Sequence, residues 1–208
     1  MKQLFCSALL LSALASAHAA TLGFDADSAG AAPTGWRCGS TGGGNPRWEV
    51  QRDASAPSPP HVLRQSGRAS FPWCVRPEVA LVDGFVEVRF KPESGREDQA
   101  GGVMWRWRDG DRYYVARANA LENNVALYYT DAGVRRTIKY VDAPVQANAW
   151  HLLRVQFSGK RILVQLDGKL VIELDDDHIG GPGAVGVWTK ADSVTAFDDF
   201  GFGTSGAK

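Results

Sequence analysis

From Val79 onward the chain is broken by turn signals about every ten residues into short segments, most of them alternating apolar and polar side chains. That is the rhythm of strands. In Val86 to Lys91, for example, Val86, Val88 and Phe90 alternate with Glu87, Arg89 and Lys91, giving one dry and one wet face. Asp109-Gly110 separates Gly101 to Arg108 from Asp111 to Ala118, a hairpin signal. Asp131-Ala132-Gly133 separates Val125 to Thr130 from Val134 to Tyr140 in the same way. Ser158-Gly159-Lys160 and Asp167-Gly168 join Trp150 to Phe157, Arg161 to Leu166 and Lys169 to Leu174 into a meander. Ala184 to Thr189 and Val194 to Phe202 complete the pattern, and no stretch sustains a helical period. Roughly ten short strands joined by hairpins predict an all-β fold, an antiparallel two-sheet β-sandwich.

Upstream, Thr21 to Pro60 is rich in Gly, Pro, Ala and Ser and is expected to form long loops over a sheet. Gly42-Gly43-Gly44 precedes no helix and so is no phosphate loop. At the start of the chain, Lys2, the apolar run from Leu4 to Leu14 and Ala17-His18-Ala19 form the three regions of a secretory signal. Residues 1–20 are therefore expected to be a signal peptide and 21–208 one exported domain, periplasmic or extracellular. The apolar run is too short for ~30 Å of hydrocarbon, so no membrane span is expected. Loss of the signal would leave Cys38 and Cys74 as the two cysteines of the mature chain. In an oxidising compartment they are expected to pair, closing a loop of ~37 residues worth about 3–4 kcal/mol; the alternative is two buried thiols.

Lys+Arg and Asp+Glu balance at 23 each, so no long-range field gathers nucleic acid, and none is expected as a partner. The seven Trp, five Tyr and nine Phe point instead to flat partners such as sugar rings. If the Asp109-Gly110 turn sets the register, Arg108 pairs with Asp111, Arg106 with Tyr113 and Trp105 with Tyr114. Val103, Trp105, Tyr114 and Ala116 then share an apolar face suited to the core. Met104, Arg106, Tyr113, Val115 and Arg117 share the other, with open space expected above Gly102. Two guanidinium groups beside a phenol suit hydroxyls or carboxylates of a glycan. They equally suit a solvated face whose arginines pair with acids. Asn119, Glu122 and their neighbours leave this strand as a polar loop, and Lys190 and Asp192 form a second polar cluster beside Trp188.

The segments GGVMWRW, YYVARANALENN, WHLLRV, LDGKLV and VGVWTKADSVTAFDDF together resemble the concanavalin A-like lectin/glucanase superfamily. Within it they are most similar to the exported bacterial group known as domain of unknown function 1080, also called 3-keto-disaccharide hydrolase or family-16-like glycoside hydrolase. The resemblance runs from about Gly23 to Phe202 and implies a jelly roll with a carbohydrate groove on its concave face. On that pattern Arg106, Tyr113, Arg117, Asn119, Glu122, Lys190 and Asp192 fall in or beside the groove, with an oligo- or polysaccharide as partner.

The family-16 glucanase motif Glu-x-Asp-x-x-Glu is missing, and so is the Gln-x-His pattern of the alginate-lyase relatives. Glycosidases need two carboxylates flanking the bond. Glu122, Asp192 and Glu87 remain as candidates for acid/base work, and a hydrolase or lyase with another catalytic set would centre on Glu122 or Asp192. A binding module and a scaffold or adhesion domain are the other readings. No cofactor is required by any of them. A structural calcium would find hard oxygen ligands in Asp25 and Asp27 near one chain end and Asp198 and Asp199 near the other, although such residues also cap turns. The oligomeric state has no signal in the sequence.

Overall fold

The computed structural model describes residues 19–204; the expected signal peptide lies outside these but for its last two residues. The strands, in chain order, are β1 (Ala20–Leu22), β2 (Arg37–Asn45), β3 (Trp48–Arg52), β4 (His61–Gln65), β5 (Arg68–Leu81), β6 (Gly84–Ser94), β7 (Ala100–Asp109) and β8 (Arg112–Asn119). They continue as β9 (Asn124–Asp131), β10 (Val134–Asp142), β11 (His151–Ser158), β12 (Arg161–Leu166), β13 (Lys169–Asp175), β14 (Gly183–Trp188) and β15 (Val194–Gly203). The Gly-rich segment expected as loop supplies β2 and β3. Its glycines carry no apolar alternation, so composition hid a strand that β5 holds by backbone pairing.

Two antiparallel sheets result. The first runs β13-β12-β11-β6-β15-β4-β3, with β1 also paired to β15; the second runs β10-β9-β8-β7-β14-β5-β2. This is a jelly-roll sandwich of the concanavalin A-like kind. Between the sheets, Val103, Trp105, Tyr114 and Ala116 meet Val86, Val88, Phe90, Leu153, Val155 and Phe157, all buried. Trp105 stacks on Tyr114 and Phe157 with ring centroids 5.1 and 5.9 Å apart. The alternation read from the β7–β8 hairpin therefore gives the correct core face.

Register at the tip of that hairpin differs from the expectation. Asp109, not Arg108, pairs across the turn, and its partner is Arg112, while Trp105 still pairs with Tyr114. Arg106, Trp107 and Arg108 are thus accommodated opposite Tyr113 alone, in a bulge where Arg106 takes a φ of 48°. The extra residues turn Arg106 away from the face it would otherwise share with Tyr113.

Cys38 and Cys74 form a disulfide between directly paired residues of β2 and β5. It fastens the edge strand that completes the second sheet. Replacing both cysteines by serine is expected to lower stability by about 2–4 kcal/mol, read as a lower urea midpoint. Little change would mean that β2 is held by its ladder alone.

Candidate functional site

The second sheet is strongly curled, and two contacts across its outer face demonstrate it. From β2 to β8 is four strand spacings, roughly 19 Å in a flat sheet. Yet Thr41 Oγ1 of β2 lies 2.8 Å from Tyr113 Oη of β8, and the Thr41 hydroxyl also donates to the Gly110 carbonyl at the β7–β8 tip. Arg135 of β10 reaches farther, its guanidinium carbon lying 4.2 Å from the Tyr128 ring centre and 4.6 Å from that of Phe71 on β5. The outer face is therefore the inside of a cup. Its floor is a second apolar cluster containing Trp73, Met104, Trp107, Tyr113, Val115, Tyr128 and Trp188, with half-buried Phe71 packed against it.

A polar network lies against one end of this floor. Arg117, 1% exposed, donates to Asp98 Oδ1 (3.3 Å), Glu122 Oε2 (2.8 Å), Asn124 Oδ1 (3.1 Å) and Tyr128 Oη (3.2 Å). Asp98 is fully buried and receives Lys190 Nζ at 2.7 Å and Asn119 Nδ2 at 3.0 Å as well. Removing either partner would strand a buried charge, so each charged group here meets an opposite one, although Arg117 Nε has no partner among the described residues. Burial alone would raise the Glu122 carboxyl, but hydrogen bonds from Arg117 and Asn124 outweigh it and hold Glu122 below the usual range. Tyr128 completes the network by a 2.7 Å bond to Tyr140 Oη on β10.

Beside Lys190 the cup opens into a cleft of about 400 Å3. Phe71 and Lys190 form one wall, Gly43 and Gly44 another, and the Arg68–Glu97 ion pair stands at its rim. That volume falls within the range of small-molecule sites, and it combines an aromatic wall with charged side chains.

Of the residues expected in the groove, Arg117, Asn119, Glu122 and Lys190 converge around Asp98. Tyr113 does lie on the cup face, but it is buried in the floor. The space expected above Gly102 is filled, since a Cβ there would lie 2.7 Å from the Ala116 carbonyl. Two residues are elsewhere in role. Arg106 points to the end of the sandwich, donating to the carbonyls of Ile179 (2.7 Å) and Gly159 (2.6 Å), because the bulge reverses its side. Asp192 accepts the backbone N–H groups of Arg96, Glu97 and Asp98 at 2.9–3.1 Å and so caps the turn that delivers Asp98. At Gly95 that turn has a φ of +150°, and a Cβ would meet the Asp98 carbonyl at 1.8 Å.

Asp98, Phe71, Tyr128 and Arg135 were not read as site residues from the sequence. Tyr128 was accessible in principle, since alternation along β9 puts it on the face of Arg117. Asp98 sits at the end of a turn with no periodicity to read.

The four carboxylates considered for calcium do not converge. Asp25 accepts from His61 N (3.0 Å), Asp27 from Thr34 N (2.8 Å), and Asp199 lies 3.5 Å from Arg89. Asp198 is buried, accepts from Ser58 and Asp199, and is raised by that burial. Among the described residues no group of three or more His, Cys, Asp or Glu could hold a metal ion.

The fold and its cup define an antiparallel sandwich of the concanavalin A-like class. Among solved structures the chain is similar to a carbohydrate binding module, CBM66 from Bacillus subtilis, at 21% identity and a TM-score of 0.65, covering 80% of this chain and 94% of that one. It is also similar to the Bacillus licheniformis beta-glucanase at 16% identity and a TM-score of 0.56, covering 90% and 98%. The VIP36 exoplasmic/lumenal domain in its Ca2+/Man3GlcNAc-bound form matches at 10% identity and a TM-score of 0.60, covering 84% and 85%. These likenesses establish the fold. No family model matches the chain, and no curated protein does.

Asp192 tests the capping role. Burial would raise it, but the N–H groups of Arg96, Asp98 and Glu97 outweigh that and hold it below its ordinary value near 3.8. A depressed carboxyl contributes fully above its unfolded pKa and loses that contribution as pH falls through the folded one. Asp192→Asn is expected to destabilise by about 1–2 kcal/mol at neutral pH, solvent screening limiting the effect. The gap from the parent protein should narrow on acidification below about pH 3.8, as read in urea melts at pH 7 and 3. A gap independent of pH would refute the charge-assisted cap.

Proposed function

We propose that the protein is an exported carbohydrate-binding domain that takes a glycan at the cleft beside Phe71 and Lys190. The single observation carrying this reading is the juxtaposition, in one cleft of a curled sheet, of the part-exposed ring of Phe71 with Lys190 and the Arg68–Glu97 ion pair. A sugar ring presents an apolar face to an aromatic side chain and hydroxyls around its edge. Lys190 donates to such hydroxyls. Arg117 and Asn119 act by holding Asp98, the partner of Lys190, in place. The structural likeness to a carbohydrate binding module, a glycan-bound lumenal domain and a glucanase supports the same choice.

Binding is favoured over hydrolysis by the state of the acids. Glu122 is held ionised by Arg117, which suits an acceptor rather than a general acid, and Asp192 is occupied as a turn cap. The disulfide supports an oxidising, extracytoplasmic setting. Among the described residues no helix is long and apolar enough to cross a membrane.

Calorimetric titration against a panel of neutral and acidic oligosaccharides tests the proposal. At least one glycan should bind, and Phe71→Ala should weaken it about tenfold or more, corresponding to ~1.4 kcal/mol. Lys169→Ala, on the edge strand of the other sheet, should leave it unchanged. Silence across the panel would sink the reading.

A further inference from the structure

Arg135 stands apart from the other cations of the cup. Its guanidinium carbon lies within 4.2 Å of the Tyr128 ring centre, 4.6 Å of Phe71 and 5.8 Å of Trp188, so three aromatic rings from three strands, β9, β5 and β14, hold it. Its Nη1 is buried with no hydrogen-bond partner among the described residues. Arg117, by contrast, is bonded to Asp98 and Glu122, and Lys190 to Asp98. Three cations therefore share two carboxylates at this end of the cup, and the unmatched charge belongs to Arg135.

A buried charged donor without a partner is unfavourable, whereas one met by an anion gains a charge-assisted bond. The aromatic cradle also fixes the plane of the guanidinium before any ligand arrives. Little side-chain entropy then remains to be lost on binding. Phe71 is shared: it carries Arg135 against its ring and lines the cleft beside Lys190. A ligand packed on Phe71 in that cleft shares this ring with Arg135, which borders the cleft through Phe71 and does not itself line it.

Resting on the glycan-binding reading of this same cleft, we infer that the ligand is an anionic sugar, with Arg135 meeting its acidic group while Phe71 carries the ring. A uronate carboxylate and a sulfate ester both present the anionic oxygens this requires. The planar carboxylate matches the guanidinium fork better, so uronates are expected to bind more tightly.

The test is titration of the purified protein with galacturonate oligosaccharides, with neutral galactose oligosaccharides of equal length, and with a sulfated galactose oligosaccharide. Galacturonate oligomers should bind at least tenfold more tightly than the neutral ones, and the preference should shrink as salt rises from 50 to 500 mM, screening the pair. Arg135→Gln should remove that preference, weakening galacturonate binding about tenfold more than neutral-sugar binding. Arg135→Lys, which keeps charge but not the fork, should retain part of it. Tighter binding of the sulfated sugar than of the uronate would overturn the carboxylate assignment. Equal affinity of parent protein for neutral and both acidic oligomers, or an Arg135→Gln variant that keeps the preference, would overturn the inference and leave glycan binding standing. Failure of the parent protein to bind any of the three would overturn both readings.

Discussion

The second sheet has apolar side chains on both of its faces, and only one of them can be covered by the first sheet. Curling solves the problem. By bringing β2 and β10 toward each other across its outer face, the sheet packs Trp73, Tyr113, Tyr128 and Trp188 against one another. A flat sheet would leave those rings in water, at a penalty of roughly 25 cal/mol for each Å2 of apolar surface. The twist of adjacent strands permits the curl, and the cross-face contacts of Thr41 and Arg135 close it.

The curl also determines where polar chemistry can sit. With the floor filled by aromatic rings, charged groups can enter only at its ends. One end receives Asp98, Arg117 and Lys190, a buried ion cluster whose charges pair with one another, whereas the bulge turns Arg106 off this face to bond loop carbonyls at the end of the sandwich. Such a cluster contributes little net stability beside an apolar replacement of equal shape, so its value lies in fixing positions. It sets Lys190 at the cleft without leaving it free to collapse onto Phe71.

Arg135 occupies the middle ground between floor and rim. Packed on rings like a floor residue, it remains without the acid partner that each rim cation has. Its position depends on three elements distant in sequence: the β9–β10 hairpin, β5 and β14. No local pattern announces such a group.

Alternation of period two, read with the turn signals, was enough to determine the fold class and the core face of the β7–β8 hairpin, because strand side chains must alternate whatever the neighbours do. It put Arg106, Tyr113 and Arg117 on one face, and the family resemblance added Asn119, Glu122, Lys190 and Asp192 to one candidate site, of which Arg117, Asn119, Glu122 and Lys190 meet around Asp98. The bulge at Arg106 was beyond its reach, since the extra residues opposite Tyr113 alter no composition, and the turned backbone at Arg106, with its φ of 48°, takes the side chain off the face. Only the tertiary structure decided that Asp192 caps a turn, that Asp98 is the hub of the cluster and that Phe71 and Arg135 meet across five strand spacings. Those facts follow from how a sheet bends and which distant strands it brings together. Bending is set by packing over the whole face, to which each residue contributes only a part.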